Sequence, residues 1–139
     1  MISNPKIRGV ALLALMWLLP SPGVNAEQSL AADERAAIDY LLQHVEQSHE
    51  VFIRNGKDHD GKQAARHMRR KFEHYLDKDE VHSAEDFIRL AGTGSLISGR
   101  SYRMRLSDGR EIETATWLSD VLAAYRSEHD RQLAAETSP

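Results

Sequence analysis

The sequence contains no cysteine. No disulfide can form, and no thiol is available for lipid attachment at a processed N-terminus. Long apolar runs are scarce too: Val10 to Leu19 spans ten residues, whereas a helix crossing the hydrocarbon core needs about 20. No permanent membrane anchor is expected. Nor is there an excess of positive charge, since 18 Lys and Arg stand against 21 Asp and Glu. Phosphate backbones are held by Lys and Arg in excess, so nucleic acid is set aside as the main partner.

What is present begins with an export signal. Lys6 and Arg8 precede the apolar run, and Pro20 to Ala26 supplies a helix-breaking, small-residue exit ending Val24-Asn25-Ala26. That order predicts a signal peptide over residues 1–26, cleaved after Ala26. Localisation is then periplasmic or secreted. Both Lys6 and Arg8 leave with the signal and no acid does, so 16 basic residues face 21 acidic ones, a balance of −5. The 113 residues left suit one modest core without disulfide support. Residues 27–127 are expected to form a single helical domain, followed by a frayed polar tail over 128–139.

Apolar residues at Ile38, Leu41, Leu42, Val45 and Phe52 predict an amphipathic helix from about Ser29 to Asn55. In this reading Ser29 caps its start, and Asn55-Gly56 ends it. A second helix is predicted from Asp60 or Gly61 to about Asp77, with Ala64, Met68, Phe72, Tyr75 and Leu76 buried and Asp60 capping. Ser83 with Asp86 opens a short third helix that Gly92 closes, before a loop from Gly92 to Ser101. Tyr102 to Glu113 alternates in a two-residue period around Ser107-Asp108-Gly109, which predicts a β-hairpin. A three-residue loop puts Arg105 opposite Glu111, Met104 opposite Ile112 and Arg103 opposite Glu113, and this register is preferred because opposed residues share a face. Thr114 or Thr116 caps a last helix carrying Trp117, Leu118, Val121, Leu122 and Tyr125. The expected fold is mainly α, a small bundle of about four helices with one short β-hairpin near 102–113.

Several chemical motifs fail on spacing. A calcium loop aligned on Gly61 would need oxygen ligands where Gly56 and His67 stand. Among the seven histidines, His67 and His74 nearly align but have Lys71 between them, and His44 and His49 diverge. No specific metal site and no cofactor are expected. Gly92 to Arg100 could cradle an anion, but it lacks the GKS or GKT ending of a phosphate-binding loop. Neither a GxSxG elbow nor an SxxK motif surrounds Ser95 or Ser98.

Phe52-Ile53-Arg54-Asn55-Gly56, His59, Ala64-Ala65-Arg66-His67 with Lys71, and Ser83-Ala84-Glu85-Asp86-Phe87-Ile88 form a connected pattern. With Ser98-Gly99, Tyr102, Asp108-Gly109 and Trp117-Leu118, it resembles the YfeK-like family of small exported bacterial proteins. The resemblance covers about Leu41 to Leu118 and implies export and one domain of unknown function. The family has Lys where Arg100 stands and Pro where Ser101 stands, so the loop departs from its pattern. The matched polar residues are the candidate binding set: Arg54, Asn55, His59, His67, Lys71, Ser98 and Tyr102. Cations among hydroxyls without a complete catalytic set point to a non-enzymatic binding or accessory module, whose partner is an envelope protein or a small anionic ligand. The competing expectation is a small serine hydrolase using Ser98 or Ser95 with His67 or Lys71.

Overall fold

A computed structural model describes residues 30–95 and 97–137. The expected signal peptide and the Ser29 cap lie outside the described residues. Helix α1, Ala32–Gln47, buries Ala37, Ile38, Leu41, Leu42 and Val45, the face that the apolar spacing marks. It ends well before Asn55. Ser48 takes an extended conformation, and its hydroxyl accepts from the Glu50 amide at 3.2 Å.

The chain then forms strand β1, Val51–Arg54, turns at Asn55-Gly56, and returns as β2, Lys57–His59. The long first helix of the sequence reading is therefore corrected to a helix followed by a hairpin. Val51-Phe52-Ile53 is a β-branched and aromatic run that favours strand. Asn55 and Gly56 have φ of 52° and 75°, both left-handed, the pattern of a two-residue hairpin turn whose twist suits the flanking strands. They turn a sheet rather than stop a helix.

Helix α2, Gly61–Leu76, starts where Asp60 accepts from the Gln63 amide at 2.7 Å. Gly61 lies against the end of α1: a Cβ there would come within 2.3 Å of the Val45 carbonyl oxygen and 2.8 Å of that of Ser48. Helix α3, Ala84–Phe87, begins under the Ser83 hydroxyl, which accepts from the Asp86 amide at 3.1 Å. It widens into a π turn, Ile88–Gly92, closed by Thr93 donating to the Ile88 carbonyl at 2.9 Å.

Strands β3, Arg103–Arg105, and β4, Glu111–Glu113, pair in the register of the three-residue loop, with Met104 opposite Ile112. β1 also pairs with β3, so the single hairpin expected from the sequence is half of a four-stranded antiparallel sheet in the order β2-β1-β3-β4. Helix α4, Thr114–Thr137, follows β4 directly. Neither threonine hydroxyl caps it: Thr114 is the first helical residue, fully buried, and its side-chain oxygen has no partner. Residues 128–137 are helical rather than frayed, and exposed throughout.

One apolar cluster joins these elements. Leu41, Leu42 and Val45 of α1 meet Met68 and Phe72 of α2, Phe87 of α3, Phe52 and Met104 of the sheet, and Leu118 and Leu122 of α4. No helix among the described residues is long and apolar enough to cross a membrane.

Candidate functional site

Strand pairing sets which side chains meet α2. Phe52 lies opposite both His59 and Met104, and alternation puts Arg54 on the same face as Phe52. That inner face is covered by α2. The outer face carries Asp58, Arg103, Arg105 and Glu111, and Arg105 reaches Asp58 at 3.0 Å and Glu111 at 3.2 Å in solvent.

On the inner face, an Arg54 guanidinium nitrogen stands 2.7 Å from His67 Nδ1, and His67 Nε2 stands 3.0 Å from the Tyr102 hydroxyl. Arginine only donates, so Nδ1 accepts and the proton of the neutral ring sits on Nε2. Nε2–H then donates to the Tyr102 oxygen, which leaves the phenolic proton free to be given to another group. Burial is the largest influence on His67, and the charges of Arg54, Lys71 and Arg70 add to it; together they lower its pKa to about 4. At neutral pH the ring is uncharged. Tyr102 is shifted upward, mainly by burial, and keeps its proton.

Lys71 completes this side. Its ammonium donates to the Gly94 carbonyl at 2.8 Å and lies 5.2 Å from the centre of the Tyr102 ring. Burial lowers its pKa. Asn55, at the tip of the first hairpin, accepts from the Ser98 hydroxyl at 2.7 Å, tying that turn to the 92–101 loop. His59 is one step apart, with Nδ1 3.2 Å from the Gln63 side-chain oxygen. Its buried Nε2 and the Thr114 hydroxyl oxygen have no protein partner. Both residues border a hollow of about 20 Å³ between the sheet and α2, room for about one water molecule.

Six of the seven residues singled out from the sequence therefore fall around the turn end of β1, and His59 lies at the other end of β2. Arg54 and Asn55 are there as strand end and hairpin turn, however, not as a helix terminus. Arg54 holds His67. The serine hydrolase arrangement does not form. Both nitrogens of His67 are engaged by Arg54 and Tyr102, Lys71 is held by Gly94, the Ser98 hydroxyl is turned to Asn55, and the Ser95 hydroxyl accepts from the Ser98 amide at 3.3 Å.

Beside this cluster opens a cleft of about 370 Å³, bordered by His67, Lys71 and Tyr102 together with Arg70, His74 and Tyr75, and closed by Ser95 and Ile97 of the loop. Among the described residues no carboxylate borders it. Tyr75 is 5% exposed and its hydroxyl has no partner. Arg70, His74, Tyr75 and Ile97 were not among the residues picked from sequence. The run Arg69-Arg70-Lys71 was the available signal, because three successive cations cannot all point away from the same side of a helix.

The fold and the cleft define a small helical domain with a four-stranded sheet and a cationic groove between its second helix and a loop. The chain belongs to the Family of unknown function (DUF5329), whose model matches residues 32–126. No curated protein and no solved structure matches it.

Proposed function

We propose that the chain is an exported, non-enzymatic accessory module that binds a small anionic group in the cleft between α2 and the 92–101 loop. Export follows the signal-like residues 1–26 and the resemblance to YfeK-like proteins. The observation that carries the binding role is the composition of the cleft wall. Arg70 and Lys71 supply positive charge, His67 and His74 supply imidazoles, Tyr75, Ser95 and Tyr102 supply hydroxyls, and no carboxylate among the described residues competes. An anion entering there gains charge-assisted hydrogen bonds in a partly desolvated setting. The free phenolic proton of Tyr102 and the unpartnered Tyr75 hydroxyl are donors already in place.

Titration with inorganic phosphate, followed by amide chemical shifts, tests this reading. Saturable shifts are expected for residues around Lys71, Ser95 and Tyr102, with affinity falling about tenfold in Arg70→Ala and in Lys71→Met, the loss of one charged hydrogen bond. Arg70 is exposed and unpaired, so its replacement leaves the fold intact. Unsaturable shifts, or wild-type affinity in both variants, would sink the binding role. Covalent labelling of Ser95 or Ser98 by a serine-directed phosphonate would overturn the non-enzymatic part. An intact mass of the exported product starting at Met1 would overturn the signal peptide.

A further inference from the structure

Most arginines outside α2 are paired. Arg35 on α1, Arg89 on the π turn, Arg103 and Arg105 on β3, and Arg126 and Arg131 on α4 each hold a carboxylate. Lys62, Arg66, Arg69 and Arg70 are exposed, and among the described residues none has an ion pair. Their successive spacings of four, three and one put them on one side of the helix. Lys71 and His74 carry this arc round to the cleft, and Glu73 is the one acid within it. Lys57, Lys78 and Arg100 also lack an ion pair among the described residues, but they stand singly on separate segments, whereas α2 gathers four such cations on one face of a chain of net charge −3.

A second feature adjoins that face. Ile97, at the tip of the 92–101 loop, is 100% exposed, against 49% for Leu133 and 38% for Tyr40, the other exposed large hydrophobic residues among those described. Ile97 also borders the cleft beside Arg70 and His74. A fully solvated isoleucine next to an unpaired basic face is the combination that a bilayer interface accommodates, with cations at anionic headgroups and an apolar side chain below them. Nucleic acid would use the charge but gives the isoleucine no apolar environment, whereas a bilayer takes both. We propose that α2 and the loop tip dock on an anionic lipid surface, reversibly and without a spanning segment. Lys62, Arg66 and Arg69 stand outside the cleft, so this docking is separable from anion binding within it.

Co-sedimentation of the purified protein with phosphatidylcholine vesicles, and with vesicles containing equal parts phosphatidylglycerol, decides the matter. The protein should pellet with the anionic vesicles, stay in solution with the neutral ones, and be released as salt rises. Arg66→Ala with Arg69→Ala should weaken vesicle binding by about tenfold or more, the expected effect of two surface cations. Ile97→Ser should weaken it several-fold at low salt, and the Arg66→Ala with Arg69→Ala variant, whose replaced side chains stand outside the cleft, should leave phosphate binding unchanged. Equal recovery with both vesicle types overturns the proposal. So does a single-stranded oligonucleotide that binds more tightly than the anionic vesicles and is indifferent to Ile97→Ser, which would mark the face as a nucleic-acid surface.

Discussion

His67 is held between Arg54, which requires an uncharged ring, and Tyr102, which accepts from Nε2–H. Arg54 occupies Nδ1 with a donor, so a proton there would set two donors against each other, and burial disfavours the imidazolium further. In the unfolded chain the ring has its ordinary pKa of 6.5, against about 4 when folded. Below pH 6.5 the unfolded state therefore binds the proton first, so the contribution of this neutral ring to stability is full above pH 6.5 and is lost as pH falls toward about 4. Solvent reaches much of the site, which reduces the effect to on the order of 1 kcal/mol. Melting curves from pH 7 down to pH 4 should show wild type losing more stability than His67→Gln, and parallel curves would refute the arrangement. At this scale the sequence was informative in one respect and blind in another. It marked Arg54, His67, Lys71 and Tyr102 by type and by a shared pattern. Their contacts depend on sheet pairing across 35 residues between His67 and Tyr102, which no local signal carries.

At the scale of elements, the first hairpin shows how two periodicities can compete. Val45 to Phe52 is a seven-residue step, consistent with two helical turns, yet Val51-Phe52-Ile53 is also a β-branched and aromatic run that favours strand. Pairing with β3 decides between them, because it satisfies the backbone of a β-branched run and buries Phe52 against Met104. The second hairpin was legible down to its register, since opposed charges Arg105 and Glu111 encode it locally. Placing the first hairpin makes Gly61 critical. α2 must begin immediately beneath the end of α1, and a methyl group there meets backbone oxygens, which cannot rotate aside. Gly61→Ala should cost about 1–3 kcal/mol, the usual range for overpacking, despite alanine's better helix propensity. Thermal denaturation checks it, and a neutral or stabilising result would mean that the two helices sit farther apart.

For the whole molecule, a polar tie among α1, α3 and α4 supplements the apolar core. Glu34 of α1 accepts from the Ala84 amide at 2.6 Å, so it caps α3 from outside, and it also accepts from Arg126 of α4 at 3.1 Å. Arg126 reaches Glu85 as well, at 3.0 Å, and these contacts hold both carboxylates in place. The carboxyl of Glu85 is shifted downward, chiefly by its hydrogen bond from Arg126. Arg126 is also where the family match ends, although α4 continues to Thr137. Beyond it every described side chain is exposed, so those turns add helix without adding core. Two variants separate the tie from the extension. Arg126→Ala removes the only α4 group holding Glu34 among the described residues and should cost about 1 kcal/mol, because the guanidinium is partly exposed. Ending the chain after Ser127 should change stability by less than about 0.5 kcal/mol, as for other surface changes, and should leave phosphate and vesicle binding intact. If the truncated chain instead melted earlier than Arg126→Ala, the exposed turns would be packing against something, and a second copy of the chain seen by sedimentation equilibrium would be its first test.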